Sequence, residues 1–511
     1  MKRRAPRRDG PAAESLRLPP ASLTDPARAG RFVHGLITTT LAHLKKDGRA
    51  RVYSGAGVRD LARLFAGPLP ERGRPVPRVL AEFRDRILRH SLQTSHRRIF
   101  GLLHPIPLPV AAAAETAAAL LNQSTDAWKA GPAATQVEVR LVRWLNDRIG
   151  YGPRAFGVFT SGGGVANLLA LKMARDRAIG GRARHHGIPR RLAGRLRVYA
   201  SAQSHFSIPR AVDLVGLGTD SLVLVPVDRD MKMMPDRLDE MVRRDRRRGL
   251  VPVAVVATAG TTSTGNIDPI RAIAAVARRH GMHHHVDAAY GGAAIVSDRH
   301  RGLLRGLETA DSVTIDPHKW LFQPISLGGL FVRDGRALAA AFRIEPDYLR
   351  KDLEREAGRL DFYHYSLEGS RPFRGLKLWL TIQAIGTEGL AALVDRTMVL
   401  ASALVRKVER RPAFERFPAA VETTTCCVRF LPRWARRLSP RARRAPAIRR
   451  RLDRLQLHIQ HTLETTGYAW FPPTVLQGNV WLRLGIFNYL TTPADLDAVL
   501  DRIERVGSSG G

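Results

Sequence analysis

Short runs of apolar and β-branched residues alternate with amphipathic stretches through the middle of the chain. The run FGVFT at 156–160 is the first, and a helical pattern at 165–179 follows it. This alternation is typical of a mostly parallel sheet that is covered by helices on both faces. It therefore predicts an α/β fold with strands at 156–160, 197–201, 221–227, 251–257, 282–286, 312–315 and 328–332, and with helices at 165–179, 207–216, 235–247 and 268–280.

The pattern changes on either side of this region. Residues 31–104 are mostly helical in pattern, and the three prolines at 104–110 predict an extended segment. After a long helical zone at about 372–412, fewer strands follow, at 423–431, 468–471 and 479–486, before a last helix at 493–506. We predict a disordered basic tail at 1–30, an N-terminal helical segment at 31–110, a large α/β domain at 111–385, a small α+β domain at 386–506 and a flexible tail at 507–511.

Length and cysteine content restrict the class of protein. A chain of 511 residues can bury a core without disulfides. The two cysteines, Cys426 and Cys427, are adjacent, so they form neither a disulfide framework nor a cysteine zinc site, and a reducing compartment fits best. No apolar run reaches the ~18 residues of a membrane-spanning helix, and no apolar signal segment follows the basic start. We expect a cytoplasmic protein that does not contact a membrane.

The charge is unusual, since 82 Lys and Arg against 46 Asp and Glu give a formal net charge of +36. Such a charge can attract nucleic acid or other anionic surfaces. The arginines are scattered, however, and the dense run at 433–451 contains only Trp434 as an aromatic residue on which a base could stack. A compositional bias toward arginine explains the charge better, so we do not expect nucleic acid to be a partner.

Two polar turns follow predicted strands and could bind phosphate. In TSGGGVAN at 160–167, Gly163 and Gly164 open a helix, where free backbone N–H groups suit an anion. A tight strand-to-helix turn also needs glycine, so this motif alone does not identify a ligand. The second turn, TAGTTSTG at 258–265, offers the Thr262 hydroxyl.

Histidine and aspartate residues follow two further strands. His205 begins a helix, where it could be a cap, a packed residue or a ligand contact. In HHHVD at 283–287 only His283 and His285 share a strand face, and no third ligand is evident, so we expect no metal site. Asp287 stands at the carboxyl end of its strand, where ligands of parallel sheets bind.

Lys319 lies in DPHKW at 316–320, directly after another predicted strand. The chain uses ten lysines against 72 arginines, which suggests that a retained lysine performs chemistry that arginine cannot. Apolar neighbours would lower its pKa and favour a Schiff base, although a surface lysine is the simpler alternative. A phosphate loop, a histidine to stack on a ring, an aspartate for a ring nitrogen and an amine for an aldehyde together match the needs of pyridoxal 5′-phosphate.

The motifs resemble those of the group II pyridoxal-phosphate-dependent amino-acid decarboxylases, which include aromatic-L-amino-acid, glutamate and diaminobutyrate decarboxylases. The resemblance runs from about residue 90 to the end of the chain, and its most specific pieces are HVDAAYGG at 285–292 and DPHKWLFQP at 316–324. It implies the fold of aspartate aminotransferase (fold type I) and a homodimer with active sites at the subunit interface.

The resemblance also implies a role for each matching residue. Lys319 would bind the cofactor's aldehyde, Asp287 would pair with the pyridine nitrogen, and His205 would stack on the ring. The backbone of Gly163 and Gly164 and the hydroxyl of Thr262 would hold the phosphate.

Three further residues complete the implied site. Asp316 and His318 flank the lysine and would contact cofactor or substrate, and Tyr348 would return a proton to the substrate carbon. This set implies decarboxylation of an L-amino acid to its amine and carbon dioxide.

Two departures from the family pattern affect cofactor and substrate binding. Gly164 stands where the family usually has Ser or Thr, which removes one hydroxyl contact to phosphate, and Pro324-Ile325-Ser326 replaces a segment near the substrate pocket. No dedicated site for a side-chain carboxylate is evident, so an aromatic amino acid is the expected substrate. The alternatives are another carbon–carbon lyase or an aldehyde synthase on the same scaffold, and a degenerate scaffold that serves as a basic interaction protein.

Overall fold

In a computed structural model of the chain, the structure describes residues 25–45, 51–101, 103–181, 183–344 and 359–509. Most of the predicted N-terminal tail lies outside these residues, and the first described helix begins at Pro26, before the predicted end of the tail. The last helix runs to Ser509 and so includes part of the predicted C-terminal tail. None of the helices in the described part of the chain combines the length and hydrophobicity that crossing a bilayer requires.

A seven-stranded sheet forms the centre of the fold and confirms the predicted α/β class. Strand β7 is antiparallel to both of its neighbours, β1 and β6, whereas the other pairs are parallel. All seven predicted strands are present, in the spatial order β1-β7-β6-β5-β4-β2-β3. Their bounds are β1 Phe156–Thr160, β2 Leu196–Ser201, β3 Leu222–Val225, β4 Val251–Thr258, β5 His283–Asp287, β6 Ser312–Ile315 and β7 Gly328–Val332.

Helices surround this sheet and precede it in the chain. Those of seven or more residues are α1 Pro26–Leu44, α2 Val58–Leu64, α3 Val76–Glu82, α4 Pro109–Leu121, α5 Pro132–Ile149, α6 Gly163–Ala178, α7 Ser207–Leu214, α8 Pro235–Arg247, α9 Ile270–Arg279, α10 Gly335–Phe342, α11 Gly375–Glu409, α12 Pro446–Thr465 and α13 Pro493–Ser509. Helix α11 is interrupted at Gly386, whose φ of 69° breaks the helical backbone.

Strand β4 shows why both faces of the sheet are covered. Successive side chains of a strand point to opposite faces. Val255 packs in one cluster with Leu238 of α8 and Ile273 of α9, whereas Val256 packs in another with Ile208 of α7. Because both faces are apolar and buried, polar side chains of this strand region are concentrated at the strand ends, where a ligand can reach them.

A second sheet of four antiparallel strands lies in the C-terminal part of the chain, in the order β10-β11-β9-β8. Its strands are β8 Phe414–Arg416, β9 Thr425–Phe430, β10 Pro473–Leu476 and β11 Asn479–Gly485. The strand predicted at 468–471 is wrong, because Trp470 makes only an isolated bridge to Ile99. A buried cluster that includes Leu404 of α11, Ile459 of α12 and Ile503 of α13 packs with Val428 of β9.

Candidate functional site

A small cavity lies at the carboxyl ends of the central parallel strands. Loops that follow the strands bring distant segments of the chain together here, as expected for an open α/β sheet. Six of the predicted site residues line it: Gly163, Gly164, His205, Thr262, Asp287 and Lys319. Asp316 and His318 contact this group from the side, and Tyr348 lies outside the described residues.

Lys319 is held by a carboxylate that belongs to its own turn. The backbone N–H of Lys319 donates to the Asp316 carbonyl in the turn after β6, and Lys319 Nζ lies 3.1 Å from Asp316 Oδ2. The Asp316 carboxylate is almost completely buried and also accepts a hydrogen bond of 3.0 Å from the backbone N–H of Gly163. Asp316 therefore joins the lysine to the glycine loop at the start of α6.

The adjacent glycines differ in the space around them. A Cβ on Gly163 would lie 2.9 Å from Asp316 Oδ2 and 3.0 Å from the Ala289 Cβ, so no side chain fits without displacing the Asp316 contact. At Gly164 the Ser207 Cβ, at 3.8 Å, is the nearest atom that a Cβ would meet, so this position has room. Because Asp316 already engages the Gly163 N–H, Gly164 supplies a helix N-terminal N–H that has no partner within the helix.

Asp287 lies at the end of β5 and is well buried. Its Oδ1 accepts a hydrogen bond from the backbone N–H of Ala289 at 3.1 Å, and its Oδ2 accepts one from Asn167 Nδ2 at 2.8 Å. Both oxygens thus accept hydrogen bonds, which is the role of an ionised carboxylate. A buried, oriented carboxylate is suited to pair with a protonated ring nitrogen.

His205 lies two residues before helix α7 and is half-buried. Burial lowers the pKa of His205, an effect that outweighs the opposing charge of Asp287. Its Nδ1 lies 2.9 Å from Ser207 Oγ and accepts a longer hydrogen bond of 3.3 Å from the Ser207 N–H. The ring is therefore neutral at pH 7 and carries its proton on Nε2.

His318 has a similarly fixed ring. Its Nδ1 accepts a hydrogen bond of 3.1 Å from the backbone N–H of Leu327, and burial lowers the pKa of His318. The proton of the neutral ring is therefore on Nε2, which lies 3.7 Å from Asp316 Oδ2. Its Cε1 faces Gly162, where a Cβ would lie 3.3 Å away.

Contacts with the small sheet support the far side of the cavity. Arg483 Nη1 donates a hydrogen bond of 2.6 Å to the Thr262 carbonyl. The Tyr290 hydroxyl lies 2.6 Å from Thr424 Oγ1 and accepts a hydrogen bond of 3.1 Å from the Thr424 N–H. The turn that contains Thr262 is thus braced by β11.

The described residues fit the predicted cofactor. The glycine-opened helix α6 offers an N-terminal anion site, Asp287 offers the buried carboxylate, and Lys319 offers the amine within the same cavity. Asp316 Oδ1 is buried and has no hydrogen-bond partner among the described residues, so the site has remaining capacity to accept a hydrogen bond.

Sequence reasoning assigned no role to several residues that line the cavity, among them Asn167, Ser207 and Tyr290. Asn167 stands in the motif TSGGGVAN and Tyr290 in HVDAAYGG. The available signal was a lone amide within the otherwise apolar start of α6, at the spacing that places it one turn after the glycines.

The histidine run serves hydrogen bonding. His283 Nε2 and His285 Nδ1 each lie 2.8 Å from Ser312 Oγ, so the two rings on the shared face meet at one hydroxyl. Within the described ranges, no group of three or more His, Cys, Asp or Glu side chains is arranged to hold a metal ion.

Comparison with known proteins agrees with this geometry. Residues 59–431 match the family model described as the pyridoxal-dependent decarboxylase conserved domain. The chain is 35% identical to L-2,4-diaminobutyrate decarboxylase of Rhizobium meliloti over 88% of this chain and 86% of that protein, and 30% identical to human cysteine sulfinic acid decarboxylase over 93% and 95%. The structure of Oryza sativa TDC with PLP and tryptamine superposes with a TM-score of 0.85 at 27% identity, covering 94% of this chain and 98% of that one.

The family match and these alignments confirm the predicted fold type I architecture. They do not favour the two alternatives, which are another carbon–carbon lyase or aldehyde synthase and a degenerate scaffold that serves as a basic interaction protein. The chain belongs to the pyridoxal-dependent decarboxylases, enzymes that remove carbon dioxide from amino acids with pyridoxal phosphate as cofactor.

Proposed function

We propose that the cavity at Lys319 is the active site and that its residues divide the work of holding the cofactor. Lys319 binds the aldehyde covalently, Asp287 pairs with the pyridine nitrogen, and His205 stacks on the ring. The phosphate is bound by the backbone at Gly163 and Gly164 and by Thr262. The observation that carries this proposal is the convergence of Lys319, Asp287 and the glycine-opened helix on one cavity.

When bound, the cofactor supplies a protonated ring that accepts the electron pair released as carbon dioxide departs. Asp287 keeps the proton on the ring nitrogen, because an ionised carboxylate stabilises a cation that it contacts. Asp316 holds Lys319 in an ion pair and orients it toward the cavity. His318 contacts substrate or cofactor, and Tyr348 returns the proton to the substrate carbon.

For the substrate we propose an amino acid without an anionic side chain, and L-2,4-diaminobutyrate in particular. Of the described residues that line the cavity, Lys319 alone carries a full positive charge, so a side-chain carboxylate or sulfinate would lack a counter-ion there. The similarity to the Rhizobium enzyme supports the diamino acid. An aromatic amino acid is the second candidate, because Leu103 and Tyr290 give the cavity apolar surface.

The cellular setting is a further part of the proposal. A cytoplasmic location is supported by Cys426 and Cys427, which are both buried and free. A homodimer with interface active sites is supported by exposed apolar side chains close to the site, since Phe206 follows His205 at 61% exposure and Ile325 follows the Lys319 turn at 60% exposure. Sedimentation at several concentrations separates a dimer from a monomer.

A substrate panel tests the reaction. Purified protein loaded with pyridoxal phosphate is given L-2,4-diaminobutyrate, L-tryptophan and L-cysteine sulfinate, and carbon dioxide, amine and aldehyde are measured by mass spectrometry. We expect carbon dioxide and 1,3-diaminopropane in equal amounts, with the highest kcat/KM for the diamino acid. Aldehyde in place of amine would contradict simple decarboxylation, and preference for the sulfinate would contradict the substrate argument.

A further inference from the structure

Asn167 is the most heavily shared side chain of the site. It lies one turn into α6, is 1% exposed, and contacts residues of three other segments. Its Nδ2 donates to Asp287 Oδ2 at 2.8 Å and to Ser207 Oγ at 3.0 Å. Its Oδ1 accepts from Thr314 Oγ1 at 2.9 Å and lies 2.9 Å from His285 Nε2. Two donors and two acceptor positions are thus all in use.

The contacts of Oδ1 determine which way the amide faces. Because an amide oxygen only accepts, His285 must carry its proton on Nε2. Burial lowers the pKa of His285 to about 4, so the ring is neutral and its Nδ1 accepts from Ser312 Oγ. Ser312 Oγ in turn accepts from His283 Nε2. This buried chain holds the amide oxygen away from Asp287 and the NH2 group toward it.

The hydrogen bonds of Asn167 Nδ2 orient Asp287 and Ser207. Asp287 Oδ2 accepts a hydrogen bond from Asn167 Nδ2, as an ionised carboxylate does. Ser207 Oγ also receives an N–H from the same amide, so its own proton is available for His205 Nδ1 at 2.9 Å. A ring nitrogen that receives donors carries no proton, which places the proton of His205 on Nε2.

We propose that Asn167 is a positioning residue that acts on two site residues at once: it orients Asp287 as a hydrogen-bond acceptor and, through the Ser207 hydroxyl, adds a second donor that keeps the proton of the neutral His205 ring on Nε2. This inference rests on the proposed roles of Asp287 and His205. Through a single buried amide, Asn167 couples Asp287, which is proposed to pair with the ring nitrogen, to His205, which is proposed to stack on the ring.

The variant Asn167→Asp tests the coupling with almost no change in shape. The new side chain has no hydrogen to donate when it is ionised and a single O–H when it is protonated, so it cannot replace both N–H donors of the amide. An oxygen left without a hydrogen attracts the Ser207 proton away from His205 Nδ1. We expect cofactor affinity, measured by fluorescence titration of the cofactor-free chain, to fall about ten-fold, the effect of losing one charge-assisted hydrogen bond. In ¹⁵N-histidine NMR spectra of the cofactor-free chain, the His205 Nδ1 signal should shift, because Nδ1 loses the Ser207 O–H donor and keeps only the longer hydrogen bond from the Ser207 N–H.

Two other variants make the result decisive. Thr314→Val removes a contact to the amide oxygen but leaves both Nδ2 donors, so affinity should stay within two-fold and the His205 signals should not move. Asn167→Ser is too short to reach both Asp287 and Ser207 and should weaken cofactor binding even if Asn167→Asp fails to fold. Affinity within two-fold of wild type in the Asn167 variants, or an unchanged His205 Nδ1 signal in Asn167→Asp, would overturn the proposal.

A separate measurement distinguishes failure of the Asn167 proposal from failure of the proposed active site. Reduction of the loaded wild-type chain with borohydride reports whether the cofactor is attached to Lys319. A wild-type chain without this attachment overturns the proposed active site. A wild-type chain with the attachment, together with unchanged Asn167 variants, overturns the positioning role alone.

Discussion

Substitution of Gly164 by serine should tighten cofactor binding. The resemblance noted in the sequence implies a hydroxyl residue at this position. The structure leaves space for one, because the nearest described atom to a Cβ here is the Ser207 Cβ, at 3.8 Å. The backbone at Gly164 does not have a positive φ, so a side chain adds no backbone strain. The new hydroxyl would lie in the first turn of α6, where the phosphate is proposed to bind.

The magnitude follows from ordinary hydrogen-bond energies. A net hydrogen bond to an ionised group contributes about 1.5–3 kcal/mol, which corresponds to a roughly 10- to 150-fold lower dissociation constant. Gly164→Ala adds the Cβ without the hydroxyl and isolates this effect, so its affinity should remain close to that of wild type. Gly163→Ala is the opposite case, since its Cβ would lie 2.9 Å from Asp316 Oδ2, and it should weaken binding.

Fluorescence titration of the cofactor-free chain with pyridoxal phosphate measures all three variants. We expect Gly164→Ser to bind the cofactor most tightly, Gly164→Ala less tightly and Gly163→Ala most weakly. Equal affinity of the serine and alanine variants would show that the phosphate does not lie at the start of α6. A Gly163→Ala chain that binds as tightly as wild type would refute the steric argument at the Asp316 contact.

Two further predictions concern stability. Arg371 lies 3.3 Å from Glu138, and both side chains are inaccessible to solvent. Arg371→Met leaves the buried Glu138 without this partner, so the free energy of unfolding by urea should fall by about 3–5 kcal/mol. A loss below about 1 kcal/mol would contradict a stabilising role for the pair. His284→Leu removes two buried ring nitrogens that have no hydrogen-bond partner among the described residues and should raise the free energy of unfolding by about 1–3 kcal/mol at pH 7. Burial lowers the pKa of His284 to about 4, with Asp311 opposing and His285 and Arg333 assisting, so the wild-type chain loses stability as pH falls from 6.5 to 4. The leucine variant should lose less over this range, and an equally steep loss would refute the assignment.

The large sheet was predictable because its strands are continuous apolar runs. Strand β1 has the predicted bounds, since Gly-Pro-Arg precedes it and the glycine loop ends it. The antiparallel direction of β7 was not predictable, because an antiparallel strand buried on both faces has the same apolar composition as a parallel one.

The C-terminal part of the chain was harder to predict, because its elements carry mixed signals. Helix α12 lies within an arginine-rich region, although Leu452, Leu455 and Ile459 follow the helical period and are buried. Strand β10 was missed because it is short, begins with a proline and is mostly exposed.

The candidate site was predictable where chemistry restricts the residue type. Lys319, Asp287 and the glycines stand directly after strands, and such positions meet at one edge of a parallel sheet. The ion pair of Lys319 with Asp316 and the four contacts of Asn167 depend on the tertiary positions of side chains from separate segments. No local pattern in the sequence encodes such distances.

The most direct test of the account identifies the lysine that carries the cofactor. The full chain is loaded with pyridoxal phosphate, reduced with borohydride and digested, and the peptides are sequenced by mass spectrometry. We expect the cofactor on Lys319 in the wild-type chain and none in Lys319→Ala. Attachment at another lysine, such as the buried Lys377, or equal labelling of the alanine variant, would contradict the central claim.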